Sequence, residues 1–319
     1  HDIERGKKEP TFLGTISGRE TKIRRKFRIS LDEFSKVPGS TICYSTPSEV
    51  RTLHDCNKKL DADQAGIDAQ SAGTAAPGLL TADDERFMRY HWETKDNELF
   101  KLIATGGSDA WIAPHVDQVF PWGEEGTLIR RSSDGIRIPN ESLYGESGLI
   151  WTHIKETGRR FGYYPSGRFF SKTSYIYVPD SVEDPWIMMP VLNSDLYHTL
   201  FLSITPGRHW NAGEVGSMPW YDKLEEVVRI KEIAQKQYEL KVQGMTTDVT
   251  SPYYVSPSLH PDLDSDFFYS NPYTVDVREL VSFASSVSPD QSLSQAVEIV
   301  QSKHERRILE VEKLSAESN

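Results

Sequence analysis

The chain has 319 residues, of which 37% are hydrophobic and 11% aromatic, so it can form a core and does not resemble a disordered protein. Its formal net charge of −11 disfavours general attraction to phosphate, so nucleic-acid binding would require a local basic surface. No apolar run approaches the ~20 residues of a membrane span and no signal-peptide pattern is visible, so we expect an intracellular protein of the cytoplasm, an organelle or a virion.

Residues 1–56 predict a polar N-terminal arm followed by β structure. Ile23, Phe27 and Ile29 share one parity, and basic residues occupy the other parity between them. This alternation predicts a strand with one apolar and one basic face. The basic contact face consists of Lys22, Arg24, Arg25, Lys26 and Arg28, with Arg25 alone off the alternation. Such a face suits nucleic acid or an acidic surface of another subunit.

Residues 57–79 are rich in Asp, Ala, Gly, Gln and Ser, with almost nothing large to bury. This composition predicts a flexible linker or a long surface loop. Just before it lie Cys43 and Cys56, the two cysteines of the chain. One pair cannot form a disulfide scaffold or a four-cysteine zinc site, so we expect two free thiols.

Residues 80–244 predict the main domain, of mixed α and β structure. An amphipathic helix is expected to begin at Thr81 and to end at the glycines 106–107. Turn residues then separate apolar segments at 127–129, 149–151, 168–170, 175–178 and 197–204. Strands at such spacing predict an antiparallel sheet, a sandwich or a barrel. A long helix is expected from Pro219 to about Gln243.

Residues 245–319 predict an extended segment followed by a second long helix. The segment 251–273 is rich in proline and aromatic residues, and Ser288-Pro289 opens the helix. Its apolar stripe, the predicted interaction helix, consists of Leu293, Val297, Val300, Ile308 and Val311. The fold class is therefore α+β, with a β-rich centre, an amphipathic helix before it and two long helices after it.

His115 and Asp117 form the sharpest chemical motif. A His and a carboxylate two residues apart on a strand share a face, and a distant His198 or His209 could complete a 2-His-1-carboxylate site for Fe(II). The pattern resembles that of iron- and 2-oxoglutarate-dependent oxygenases, which implies a β core with His115 and Asp117 as ligands and leaves a structural loop as the alternative. The sequence has no Walker A lysine and no glycine-rich opening of a Rossmann helix.

Because no convergent catalytic set is evident, the leading hypothesis is a non-enzymatic structural subunit of a capsid-like shell or another oligomeric assembly, without a cofactor. Polar ends, the aromatic and proline-rich segment and the last helix favour contacts with other protein subunits. The alternatives are a non-haem Fe(II) oxygenase using His115 and Asp117, and a nucleic-acid-associated protein using the basic strand 22–28.

Overall fold

The computed structural model describes residues 11–17, 22–95, 98–106, 111–131, 135–155, 159–205, 207–222, 228–254 and 293–317. Its strands are β1 (Thr11–Ser17), β2 (Lys22–Arg28), β3 (Lys58–Lys59), β4 (Gln70–Ser71), β5 (Gly73–Ala76), β6 (Arg89–Tyr90), β7 (Phe100–Ala104), β8 (Gln118–Pro121), β9 (Gly148–Thr152), β10 (Phe161–Tyr164), β11 (Phe169–Phe170) and β12 (Ser174–Pro179). Its α-helices are α1 (Ser48–Thr52), α2 (Ala62–Ala65), α3 (Asp84–Phe87), α4 (Thr127–Arg130), α5 (Pro185–Leu192), α6 (Asp195–Ile204), α7 (Ala212–Gly216), α8 (Val228–Met245) and α9 (Leu293–Glu317). Short 3-10 helices span Leu31–Lys36, Pro38–Ser40, His91–Glu93, Glu124–Gly126 and Glu141–Leu143.

The first large sheet has the strand order β10-β9-β12-β5, and each neighbouring pair is antiparallel. Every residue of β9 is buried, because the sheet is covered on both faces. Leu149 and Trp151 point into a cluster shared with the helices, whereas Ile150 belongs to a cluster shared with the second sheet. The strands predicted at 149–151 and 175–178 are therefore confirmed.

The second large sheet has the order β11-β7-β8-β6 and is mixed, since β11 runs parallel to β7 while the other pairs are antiparallel. Leu102, Val119 and Phe170 of this sheet lie in the cluster that also holds Ile150. On its other face Phe120 packs with Ile129 of α4. The α+β class is thus confirmed; the described strands form no closed barrel, and a sandwich stays a prediction.

The helix predicted from Thr81 to the glycines 106–107 is wrong. Asp83 caps only the four-residue helix α3, by accepting a hydrogen bond from the Arg86 backbone N–H at 3.1 Å. The chain then enters β6 and β7, and β7 hydrogen-bonds to β8 on one side and β11 on the other. Tertiary pairing overrides the local helical spacing, because a strand with two neighbours satisfies its whole backbone.

Two predicted strands are helices in the structure. Residues 197–204 lie in α6, where Tyr197, Leu200 and Phe201 are buried at helical spacing. The Ser194 hydroxyl begins this helix by accepting from the Tyr197 N–H at 3.3 Å. Residues 127–129 lie in the short helix α4. Apolar runs of this length do not distinguish a buried helix from a buried strand.

The segment 57–79, predicted to be a flexible linker or surface loop, is part of the core. It contains β3, α2, β4 and β5, and Leu60, Ala62 and Ala72 are completely buried. Its small residues permit close packing. A Cβ added to Gly78 would lie 2.0 Å from the Phe170 carbonyl oxygen, and one added to Gly73 would lie 2.4 Å from the Val178 carbonyl oxygen. The other domain boundaries predicted from sequence stay predictions.

Two long helices follow the sheets. The described part of the first, α8, extends from Val228 to Met245, two residues beyond the predicted end at Gln243. Its predicted start at Pro219 is wrong, because Pro219 forms an antiparallel bridge with Lys59. Helix α9 packs against α8, where the Gln237 side-chain amide donates to Ser315 Oγ at 2.9 Å. Of the aromatic and proline-rich segment 251–273, residues 255–273 lie outside the described residues. No helix of the described ranges is both long and apolar enough to cross a membrane.

Candidate nucleic-acid interface

The predicted basic strand forms a two-stranded antiparallel hairpin with β1, and the seven paired residues run from Thr11↔Arg28 to Ser17↔Lys22. Residues directly opposite each other in such a pair share a face of the ribbon, and the face alternates along each strand. One face therefore carries four basic positions opposite Thr11, Leu13, Thr15 and Ser17; these positions are Lys22, Arg24, Lys26 and Arg28.

The other face carries the pairs Phe12↔Phe27 and Ile16↔Ile23, with Arg25 opposite Gly14. Phe27 shows where this face points at the base of the hairpin. Its ring lies 5.4 Å from that of Tyr44, and it packs on a buried cluster formed by Phe34, Val37 and Cys43. Arg28, the next residue, is exposed. Phe27 thus packs on the protein, and the register places the four basic positions on the opposite face of the ribbon from Phe27.

The charge of this region is opposite to that of the whole chain. Residues 11–28 contain six Lys or Arg and a single Glu, whereas the complete chain has a formal charge of −11. Because salt screening limits the range of interactions between exposed charges to about 10 Å at ordinary ionic strength, the acidic remainder of the chain does not cancel the local field of the hairpin. The strand predicted over this segment is present as β2 (Lys22–Arg28), whereas its role as a basic contact face stays a prediction.

The predicted iron ligands do not come together. His115 Nε2 lies 3.3 Å from Thr250 Oγ1 and 3.7 Å from Asp248 Oδ2, in the turn that follows α8. His198 lies on α6, where its ring centroid is 6.0 Å from that of Trp210. In the described part of the chain, no group of three or more His, Cys, Asp or Glu side chains could hold a metal ion. The Asp117 backbone carbonyl accepts a hydrogen bond from the His91 N–H at 2.9 Å.

The predicted interaction helix is only partly buried where its side chains are described. Val311 is half-buried and packs against the main core, and Val297 is also half-buried. Ile308 is 47% exposed and its neighbour Leu309 is 63% exposed. The backbone positions Leu293 and Val300 lie in α9 as predicted. The stripe therefore does not behave as one continuous buried face.

Both cysteines are free, and Cys43 is buried. A second polar pair was not foreseen from sequence, because its members are 149 residues apart: His54 Nε2 lies 2.8 Å from Ser203 Oγ. The Ser203 hydroxyl donates to the Leu200 carbonyl at 2.6 Å, so the imidazole N–H must donate to Ser203. A serine oriented in this way is not activated as a nucleophile. Burial lowers the pKa of His54 to about 4, so the pair is a neutral core contact.

Comparison with models of known protein families finds no family that matches this chain. A search of characterised proteins likewise finds no relative.

Proposed function

We propose that this protein binds nucleic acid, and that the basic face of the β1–β2 hairpin contacts the phosphates. The observation that carries the proposal is the register of the hairpin, which places Lys22, Arg24, Lys26 and Arg28 on one face while Phe27 anchors the other. The hydroxyl residues Thr11, Thr15 and Ser17 share the basic face, and serine and threonine are common phosphate donors.

The dimensions of the ribbon favour duplex DNA. Its two strands lie about 4.8 Å apart, and B-DNA has a major groove about 12 Å wide that admits a two-stranded ribbon. A-form RNA has a narrow, deep major groove that side chains cannot read. Successive basic positions on the strand are about 6.8 Å apart, so the four can address separate phosphates. We therefore expect binding to duplex DNA to exceed binding to duplex RNA of the same sequence.

The acidic body makes this binding strongly dependent on the hairpin and on salt. Neutralising four phosphates should give a slope of log K against log salt of about −4. Fluorescence anisotropy with a labelled mixed-sequence duplex at several salt concentrations measures both the affinity and this slope.

A matched pair of triple variants tests the assignment. The hairpin variant is Arg24→Gln, Lys26→Gln and Arg28→Gln. The control variant removes the same charge from three exposed positions of α9 by Lys303→Gln, Arg306→Gln and Lys313→Gln. The hairpin variant should bind DNA at least tenfold more weakly and lose about three units of the salt slope. Equal effects of the two variants would mean that net charge alone acts, and wild-type protein that binds no nucleic acid would overturn the proposal.

The assembly-subunit hypothesis remains a second proposal, supported by the adjacent exposed side chains of Ile308 and Leu309 on α9. Exposed aliphatic residues at neighbouring helix positions suit contact with another chain. Sedimentation velocity of the wild type and of Leu309→Glu tests it: a sedimentation mass above that of the monomer that falls in the variant supports the proposal, whereas a monomeric wild type contradicts it. We propose no oxygenase site, since His115, Asp117 and His198 form no common centre.

A further inference from the structure

Two loops that are distant in sequence are joined beside α6. Ile154 and His209 form an antiparallel bridge, the Lys155 N–H donates to the Arg208 carbonyl at 3.1 Å, and the Trp210 N–H donates to the His153 carbonyl at 3.0 Å. Backbone bonds at Arg208 and Trp210 therefore hold residues 208–210 against residues 153–155. We name the side chains of His153, Arg160, Arg208 and His209 the Arg208 patch.

Arg160 is the buried member of this patch, and its side chain hydrogen-bonds to both loops. Its side chain is 2% exposed, Nη1 donates to the Arg208 carbonyl at 3.0 Å, and Nη2 donates to the Lys155 carbonyl. Its guanidinium lies 3.9 Å from the centroid of the Trp210 ring. Burial lowers the pKa of Arg160 to about 10, so it keeps its charge at neutral pH. In the described residues no carboxylate forms an ion pair with it.

The patch also contains two imidazoles. The rings of His153 and His209 are 5.2 Å apart, and His209 is exposed. Burial lowers the pKa of His153; the hydrogen bond to Asn211 and the charge of Glu214 raise it, whereas His209 and Arg160 lower it. Glu214 accepts from the Asn211 amide at 3.0 Å and forms no ion pair with the patch among the described side chains.

The patch lies close to the base of the hairpin. Ile204, at the end of α6, packs on the same buried cluster as Phe27 of β2. Arg208 follows Ile204 by four residues, so their Cα atoms are at most about 14 Å apart. One helical turn of B-DNA spans about 34 Å, so a single duplex can reach both surfaces.

We propose that the Arg208 patch is a second phosphate-contacting surface, which binds the same nucleic acid as the hairpin. This inference rests on the proposed function. Arg208 supplies the contact, because its guanidinium is exposed and its planar donors match a phosphate. His209 supports it at the rim, and Arg160 positions both by holding the loop backbone.

The test compares Arg208→Ala with Arg306→Ala, an exposed arginine on α9, in the complete chain and with the same labelled DNA duplex. Arg208→Ala should weaken binding about three- to tenfold and reduce the salt slope by about one, whereas Arg306→Ala should leave both unchanged. Arg208→Lys keeps the charge but not the planar donors, so it should recover only part of the affinity. Thermal unfolding of each variant verifies that the loop still folds.

The outcomes separate the two proposals. Unchanged affinity of a folded Arg208→Ala, with weakened binding by the hairpin variant, would overturn the second surface and leave the proposed function standing. Equal losses in Arg208→Ala and Arg306→Ala would overturn it as well, since they would show an effect of net charge alone. Wild-type protein that binds no duplex would overturn both.

Discussion

Asp61 provides the sharpest test of whether residues 57–79 belong to the core. Asp61 is 4% exposed, and its carboxylate accepts from two backbone donors, of which the Ala75 N–H is buried. One oxygen caps α2 by accepting from the Gln64 N–H at 3.0 Å, and the other accepts from the Ala75 N–H of β5 at 2.7 Å. A single carboxylate thus joins a helix start to the edge strand of the first sheet.

The cost of Asp61→Ala can be estimated from these two bonds. Loss of the helix cap costs ~0.5–2 kcal/mol. Leaving the Ala75 N–H buried without an acceptor costs ~1–3 kcal/mol. We therefore expect the free energy of unfolding to fall by about 1.5–5 kcal/mol, which is a large part of the stability of an ordinary domain.

Urea denaturation followed by tryptophan fluorescence measures this change. Asp68→Ala is the matched control, because Asp68 lies in the same segment and is exposed; it should change the free energy of unfolding by less than about 0.5 kcal/mol. A flexible linker would tolerate both substitutions equally. Indistinguishable midpoints for the two variants, or first proteolytic cleavage of the folded chain within 57–79, would refute the packing described above.

Two further predictions concern stability. The pKa of His54 is about 4 in the folded chain and about 6.5 in the unfolded chain, so between these pH values only the unfolded chain binds the proton. The free energy of unfolding should therefore fall by about 2 kcal/mol when the pH is lowered from 7.5 to 5. Urea titrations of the wild type and His54→Gln at both pH values measure it, and an equal pH dependence in both proteins would exclude the effect. On α9, Val311→Asp should lower the melting temperature by several degrees because Val311 packs on the core, whereas Ile308→Asp should shift it little; calorimetry giving the reverse order would contradict the observed faces of this helix.

Local patterns predicted the elements whose signal is contained in a few neighbouring residues. The alternation of basic and apolar residues at 22–28 identified β2, and turn residues isolated β9 and β12. The spacing of Val297 and Val311 identified α9 in the same way. These elements were predictable because residue periodicity and flanking turn residues are local features of the sequence and do not depend on tertiary contacts.

Of the two surfaces proposed to contact nucleic acid, only the hairpin was predictable from the sequence. The five basic residues of β2 were evident from sequence, but the Arg208 patch was not. Arg160 and Arg208 are 48 residues apart, and their contact at 3.0 Å depends on how β10 and α6 are placed. The motif of His115 and Asp117 failed for the same reason, since a local pair does not specify where a distant third ligand will lie.

The sequence by itself determined an α+β protein with a basic strand, two long helices at the end of the chain and no four-cysteine site, because these follow from composition and short-range periodicity. Only the tertiary structure decided that the small residues of 57–79 pack in the core, that 197–204 is a helix, and that β7 is a strand. Each of these segments is apolar or small enough for more than one local conformation. Burial and strand pairing with distant residues contribute more free energy than local conformational preference, so tertiary contacts determine the conformation of these segments.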